Sequence, residues 1–183
     1  MVTRIFSLIC LSFFASFAYA GIEKIALPTD QGFRMIWWPK VDPGGPWNFD
    51  EMASRQNALK MFVPSGSTFA NAETVMYAKA NFKPRTPDTK ALKSLIDNDV
   101  ANIKTEAPGI KIEVMPPVTD GDGKSVQVVS FIPTGGQGNW EWVAYGEDGE
   151  YFLVFTVSSR TKLGLEKSLP AFKAMIASYH AEP

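Results

Sequence analysis

The chain has 183 residues, with 18 Lys and Arg against 19 Asp and Glu, one histidine and one cysteine. So even a charge balance, with no basic stripe, argues against a nucleic-acid partner, and the length suits one hydrophobic core. One histidine and one cysteine leave too few soft ligands for a zinc site, so neither a metal nor a cofactor is expected.

In the first twenty residues Arg4 is the only charge, an apolar run spans Ile5 to Phe14, and the stretch ends Ala18-Tyr19-Ala20. A basic start, a short apolar run and small residues before Gly21 describe a signal peptide cleaved after residue 20. Ser7, Ser12 and Ser16 break the run below the ~20 apolar residues a membrane helix needs. Ser7-Leu8-Ile9 before Cys10 does not resemble a lipidation box. The expected product is a soluble periplasmic or secreted protein, one globular domain over 21–183. It has no second hydrophobic span, and with Cys10 removed it has neither a disulfide nor a reactive thiol.

Phe33 to Trp38 alternates as a strand, with Phe33, Met35 and Trp37 on one face and Arg34, Ile36 and Trp38 on the other. Pro39 ends it, and the prolines and glycines from Asp42 to Pro46 mark a loop. A short helix is expected over Asp50 to Asn57, then strands over Leu59 to Val63 and Thr74 to Ala80. A long helix is expected to start at Thr86 as cap, with Pro87 in its first position and Asp88 at the positive end of its dipole. It runs to Ala107 with Leu92, Leu95, Ile96, Val100 and Ile103 in one apolar stripe, and Pro108-Gly109 stops it.

Four strands follow: Lys111 to Met115 with Ile112 and Val114 inward, Ser125 to Ile132, Asn139 to Tyr145, and Tyr151 to Ser158. "TDGDGK", "PTGGQGN" and "GEDGE" separate them as turns. The last strand, "YFLVFTVS", is apolar on both faces, as a central strand covered on each side would be. Leu165, Leu169, Phe172, Ile176 and Tyr179 space out a closing helix, which Pro170 should kink or begin. Short turns between consecutive strands imply an antiparallel meander, and one-sided helices must pack on it. The fold class is therefore α+β, an antiparallel sheet flanked by helices in α-β-α layers.

This order of elements resembles the PsbP-like or Mog1-like fold. The resemblance is carried by "KMFVPSG" with Phe69 following, the helix from Pro87 to Ala107, and "YFLVFTVSSR" leading to "FKAMIASY". It implies a non-enzymatic domain, since proteins of this kind include exported bacterial proteins, photosystem accessory subunits and small protein-binding adaptors.

Catalytic groups are sparse. His180, near the chain end, reads as a solvated terminal residue, and Asp120 and Asp122 read as hairpin-turn residues. The aromatic stretch "MIWWPKVDPGGPW" divides: Trp37 is expected in the core, leaving Trp38 and Trp47, with Arg34 beside Trp38, to form a recognition surface for a protein or cell-envelope partner. Tryptophan and arginine are the types most enriched at binding hot spots. Asp99 falls inside the apolar stripe of the long helix, where a bare carboxylate costs several kcal/mol. It is expected either to meet a backbone amide, an arginine or a lysine, or to mark the pocket of a small-ligand-binding protein or hydrolase.

Overall fold

The computed structural model describes residues 21–135 and 138–181. Residues 1–20, read as an export leader, and part of the "PTGGQGN" loop lie outside the described residues. The elements are β1 (Ile22–Thr29), β2 (Gly32–Pro39), β3 (Trp47–Phe49), α1 (Glu51–Asn57), β4 (Lys60–Pro64), β5 (Thr74–Phe82), a 3₁₀ turn (Lys83–Arg85), α2 (Leu92–Glu106), β6 (Lys111–Thr119), β7 (Ser125–Ile132), β8 (Trp140–Asp148), β9 (Tyr151–Ser159) and α3 (Lys162–Ala177).

All strand pairs are antiparallel, and the main path across the sheet runs β1-β2-β5-β9-β8-β7-β6. The late strands form the expected meander. Helix α3 covers one face, where Met76, Ala78, Phe155 and Val157 meet Phe172 and Ile176. Helix α2 covers the other face over Val129, Phe131, Val143, Tyr145 and Val154. This is the α+β, α-β-α arrangement. Among the described residues no helix is long and apolar enough to cross a membrane.

Several local expectations are corrected. Strand β1, which was not expected, carries Glu23, Lys24 and Pro28 and lies at one end of the main path. Helix α2 begins at Leu92 with Ala91 as its cap. Thr86 instead closes the 3₁₀ turn through its N–H to Lys83 O, so the Thr86-Pro87-Asp88 start signal is spent on a turn. Val114 is 87% exposed rather than inward; it lies on β6 at the other end of the main path, just before the register shift between Met115 and Val118. Helix α3 begins after the Thr161 cap and runs through Pro170, which is exposed. The carbonyl that Pro170 leaves without a helical donor belongs to Glu166, itself exposed, so that carbonyl is open to solvent.

His180 is not a fraying residue. Its Nδ1 lies 2.9 Å from Asp122 Oδ1, and the next backbone N–H, of Ala181, donates to Asp122 Oδ2 at 2.7 Å. Gly121 N–H donates to Tyr179 O at 2.9 Å, and Tyr179 Oη donates to Asp148 Oδ2 at 2.7 Å. A Cβ on Gly121 would stand 2.5 Å from the His180 ring and 2.6 Å from Tyr179 O, so only glycine lets the β6–β7 turn close on the chain end. The "TDGDGK" hairpin is thus a clasp. The Ala181 N–H, then His180, holds the Asp122 carboxyl below its ordinary 3.8. A depressed carboxylate contributes its stability fully above the unfolded value and loses it as pH falls through the folded one. The clasp should therefore persist just below 3.8 and open further down. The Ala181 amide resonance, followed by NMR through an acid titration, reads this; a transition above 3.8 would contradict it.

Candidate functional site: the fork at β5

One edge of β5 pairs along its whole length with β9, from Thr74↔Ser159 to Phe82↔Tyr151. The other edge is shared. β4 takes Met76 to Ala78 through Phe62, Met61 and Lys60, while β2 touches only at Trp37↔Ala80. Two ribbons, β1–β2 and β3–β4, therefore leave the same strand and diverge. Helix α1 fixes the second ribbon: Asp50 caps it by accepting from Ala53 N–H at 3.0 Å, and Ser54 Oγ accepts from Met61 N–H at 2.9 Å. Its last turn ends on Ala58 at φ 58, a left-handed conformation that costs a non-glycine residue about 1 kcal/mol. That strain places Ala58 against the small cluster of Leu27, Ile36 and Trp38.

Between the ribbons lies a recess of about 480 Å³ walled by Trp38, Trp47 and Phe49, with Lys60, Glu23 and Asp42 among its charged residues. Trp38 meets Phe49 edge-on at 6.0 Å and 73°, and the Lys60 ammonium sits 5.9 Å from the Phe49 ring centre. Burial lowers the Lys60 pKa below 10.5, and the charges of Glu23 and Asp42 work against that. Trp38 is only 3% exposed, and its indole N–H is buried without a hydrogen-bond partner. This corrects the expected display of Trp38, which is core. Trp37 is half-buried, packed against the main core and lining a second recess. Alternation put them on opposite faces correctly; the α1–β4 connection at Ala58 roofs the Trp38 face.

The second recess, about 380 Å³, occupies the notch where β2 separates from β5, and Arg34 lines it together with Trp37, Lys79, Phe82 and Arg85. A third, about 150 Å³, includes Asp99, Tyr77, Lys79, Glu141 and Thr156. Asp99 accepts from Tyr145 Oη at 3.2 Å, so its partner is a tyrosine rather than an amide, arginine or lysine, and it lines a pocket as well. Burial, then the nearby Asp99 charge, raises the Tyr145 pKa. Burial likewise raises Glu141 above 4.5, opposed by a 2.6 Å hydrogen bond from Ser158 Oγ. The four residues singled out in the sequence thus fall in three places: Trp38 and Trp47 share the first recess, Arg34 lines the second and Asp99 the third. Lys60, Glu141 and Arg85 escaped notice, because single charges on or after a strand carry no spacing signal.

No known family profile matches this chain, and no curated protein does. Among solved structures, it is similar to the solution structure of cyanobacterial PsbP (CyanoP) from Synechocystis sp. PCC 6803. The superposition covers 94% of this chain and 99% of that one, at 10% identity and a TM-score of 0.49. The likeness concerns the path of the chain.

Proposed function

We propose that this is a non-enzymatic binding domain, exported to the periplasm or beyond, that takes a protein or cell-envelope partner in the recess between the two ribbons. The observation that carries the reading is the recess itself: aromatic walls of Trp38, Trp47 and Phe49 around a partly desolvated lysine. Ligand sites are typically concave, mostly apolar and furnished with a few polar groups, within about 300–1,000 Å³. Here Lys60 would meet an acceptor on the partner, and Glu23 and Asp42 would orient its donors.

A photo-reactive residue at Asn48, which lines the recess, should cross-link the partner in an envelope fraction. Trp47→Ala should weaken that capture roughly 30-fold, the scale of a hot-spot loss near 2 kcal/mol. Capture that is equal in wild type and Trp47→Ala would place the partner elsewhere.

A second reading is a small-ligand protein or hydrolase centred on Asp99. It is favoured by the presence of Asp99 and Glu141 in one recess, where burial raises the Glu141 pKa. Asp99→Asn keeps the shape and removes the charge. It leaves capture at Asn48 unchanged under the first reading, and under the second abolishes ligand binding while the unfolding midpoint holds.

A further inference from the structure

The notch between β2 and β5 has an unusual charge. Arg34, Lys79 and Arg85 line it, and none of its lining residues is acidic, in a chain whose anions outnumber its cations by one. None of the three has a carboxylate within ion-pair distance among the described residues. Arg85 is held in place: its guanidinium lies 4.9 Å from the Trp37 ring centre, and its Nη1 reaches Met35 O at 3.5 Å. Trp37 in turn packs on Phe82 at 5.2 Å, and Phe82 on Tyr151 at 5.3 Å, so the cation rests on a row of aromatic rings. A guanidinium has five donors in a fixed fork, and stacking plus one long contact leaves most of them free. The notch is kept open by register, since β2 and β5 are registered at only one residue pair.

Three cations lining one notch without an acid among its walls repel one another, and a ligand that neutralises them recovers that energy. A monocarboxylate offsets only one. A phosphate group carries a charge of about −1.5 to −2 and three strong acceptor oxygens, which matches two guanidinium forks and an ammonium. We propose that this notch is a binding site for a phosphate-class dianion, either free or displayed on a lipid headgroup, gripped by Arg34 and Arg85 with Lys79 in support. Lys79 has the supporting role because it also lines the Asp99 recess.

Calorimetric titration of the folded protein with inorganic phosphate tests the site, and vesicles of phosphatidylcholine with and without phosphatidic acid test the lipid source. Arg34→Gln and Arg85→Gln should each weaken binding about tenfold, the value of one charge-assisted hydrogen bond. Lys104→Gln, an equal charge change on the exposed side of α2, should leave it unchanged. Arg34 is exposed and makes no contact that the fold needs, so its variant remains folded and the test remains decisive. Phosphate binding with this arginine dependence supports a free ligand; the same dependence seen only on phosphatidic acid vesicles supports the headgroup. Three results overturn the proposal: no binding of either at millimolar concentration, binding that survives both arginine variants, or equal binding of acetate at matched ionic strength.

Discussion

Replacing Trp38 with alanine should lower the unfolding free energy by about 3–5 kcal/mol, the range for emptying a large core site, whereas Trp38→Phe should fall within about 1 kcal/mol of wild type. The first effect follows from burial, because the indole fills the cluster with Leu27 and Ile36 and meets Phe49 edge-on. The second follows from its orphaned N–H. A buried donor without a partner costs about 1–3 kcal/mol, and phenylalanine removes that donor while keeping most of the ring. Lost area and relieved desolvation then nearly cancel. Trp37→Ala, at a half-buried position, should cost less than Trp38→Ala. Urea unfolding of the three variants gives the order. If Trp38→Phe is as damaging as Trp38→Ala, the indole N–H has a partner and the account of this cluster fails.

Gly164→Ala should destabilise by about 3 kcal/mol or more, although alanine in a helix is ordinarily favoured over glycine by about 1 kcal/mol. The first turn of α3 stands against a knot of hydroxyls. Thr161 Oγ1 accepts from Gly164 N–H at 2.9 Å and donates to Glu73 Oε1 at 2.6 Å, while Thr74 Oγ1 donates to Ser159 Oγ at 2.8 Å. A Cβ at Gly164 would come within 2.9 Å of Thr74 Oγ1 and 3.0 Å of Thr161 Oγ1, and would crowd Ser159 Oγ closer still. Thr74 and Ser159 are both buried, so neither hydroxyl can turn to water if displaced. Overpacking costs about 1–3 kcal/mol, and each stranded hydroxyl a similar amount. Ser159→Ala combined with Gly164→Ala should recover part of the loss by removing the worst clash. Stabilisation by Gly164→Ala alone would mean that this corner relaxes freely.

What the sequence made legible follows from how each signal arises. Strand β7 was readable to the residue and β9 to within one, because both are long, rich in β-branched and aromatic residues, and open after a glycine turn. The apolar faces of α2 and α3 were readable from spacing, so the two-sided cover of the sheet was too. The start of α2 was misplaced because Thr-Pro-Asp serves a 3₁₀ turn as well as a helix. The tryptophans show a different limit. Alternation tells which side chains share a face, but the cover over that face comes from residues 20 positions away, at Ala58. His180 was misjudged for the same reason: its partner, Asp122, lies on a hairpin far back in the chain. Asp99 stood out because a charge breaks a helical stripe visibly. Lys60 and Glu141 did not, because each is an ordinary charged residue on a strand until the fold half-buries it.

The pairing of β5 with β9 has a consequence for the order in which the chain becomes a protein. These two strands join over nine residue pairs, yet α2 and the whole of β6, β7 and β8 intervene between them. Contacts so distant along the chain are slow to form, since loop closure must be offset before the contacts form. Both N-terminal ribbons attach to β5, so during synthesis they assemble on a strand whose other edge is bare until Ser159 has left the ribosome. The late arrival, "YFLVFTVSS", is buried along nearly its whole length once in place, and before that it is the kind of apolar, β-prone segment that aggregates when exposed. The far edge of β5 therefore waits, unpaired, for a strand made about seventy residues later.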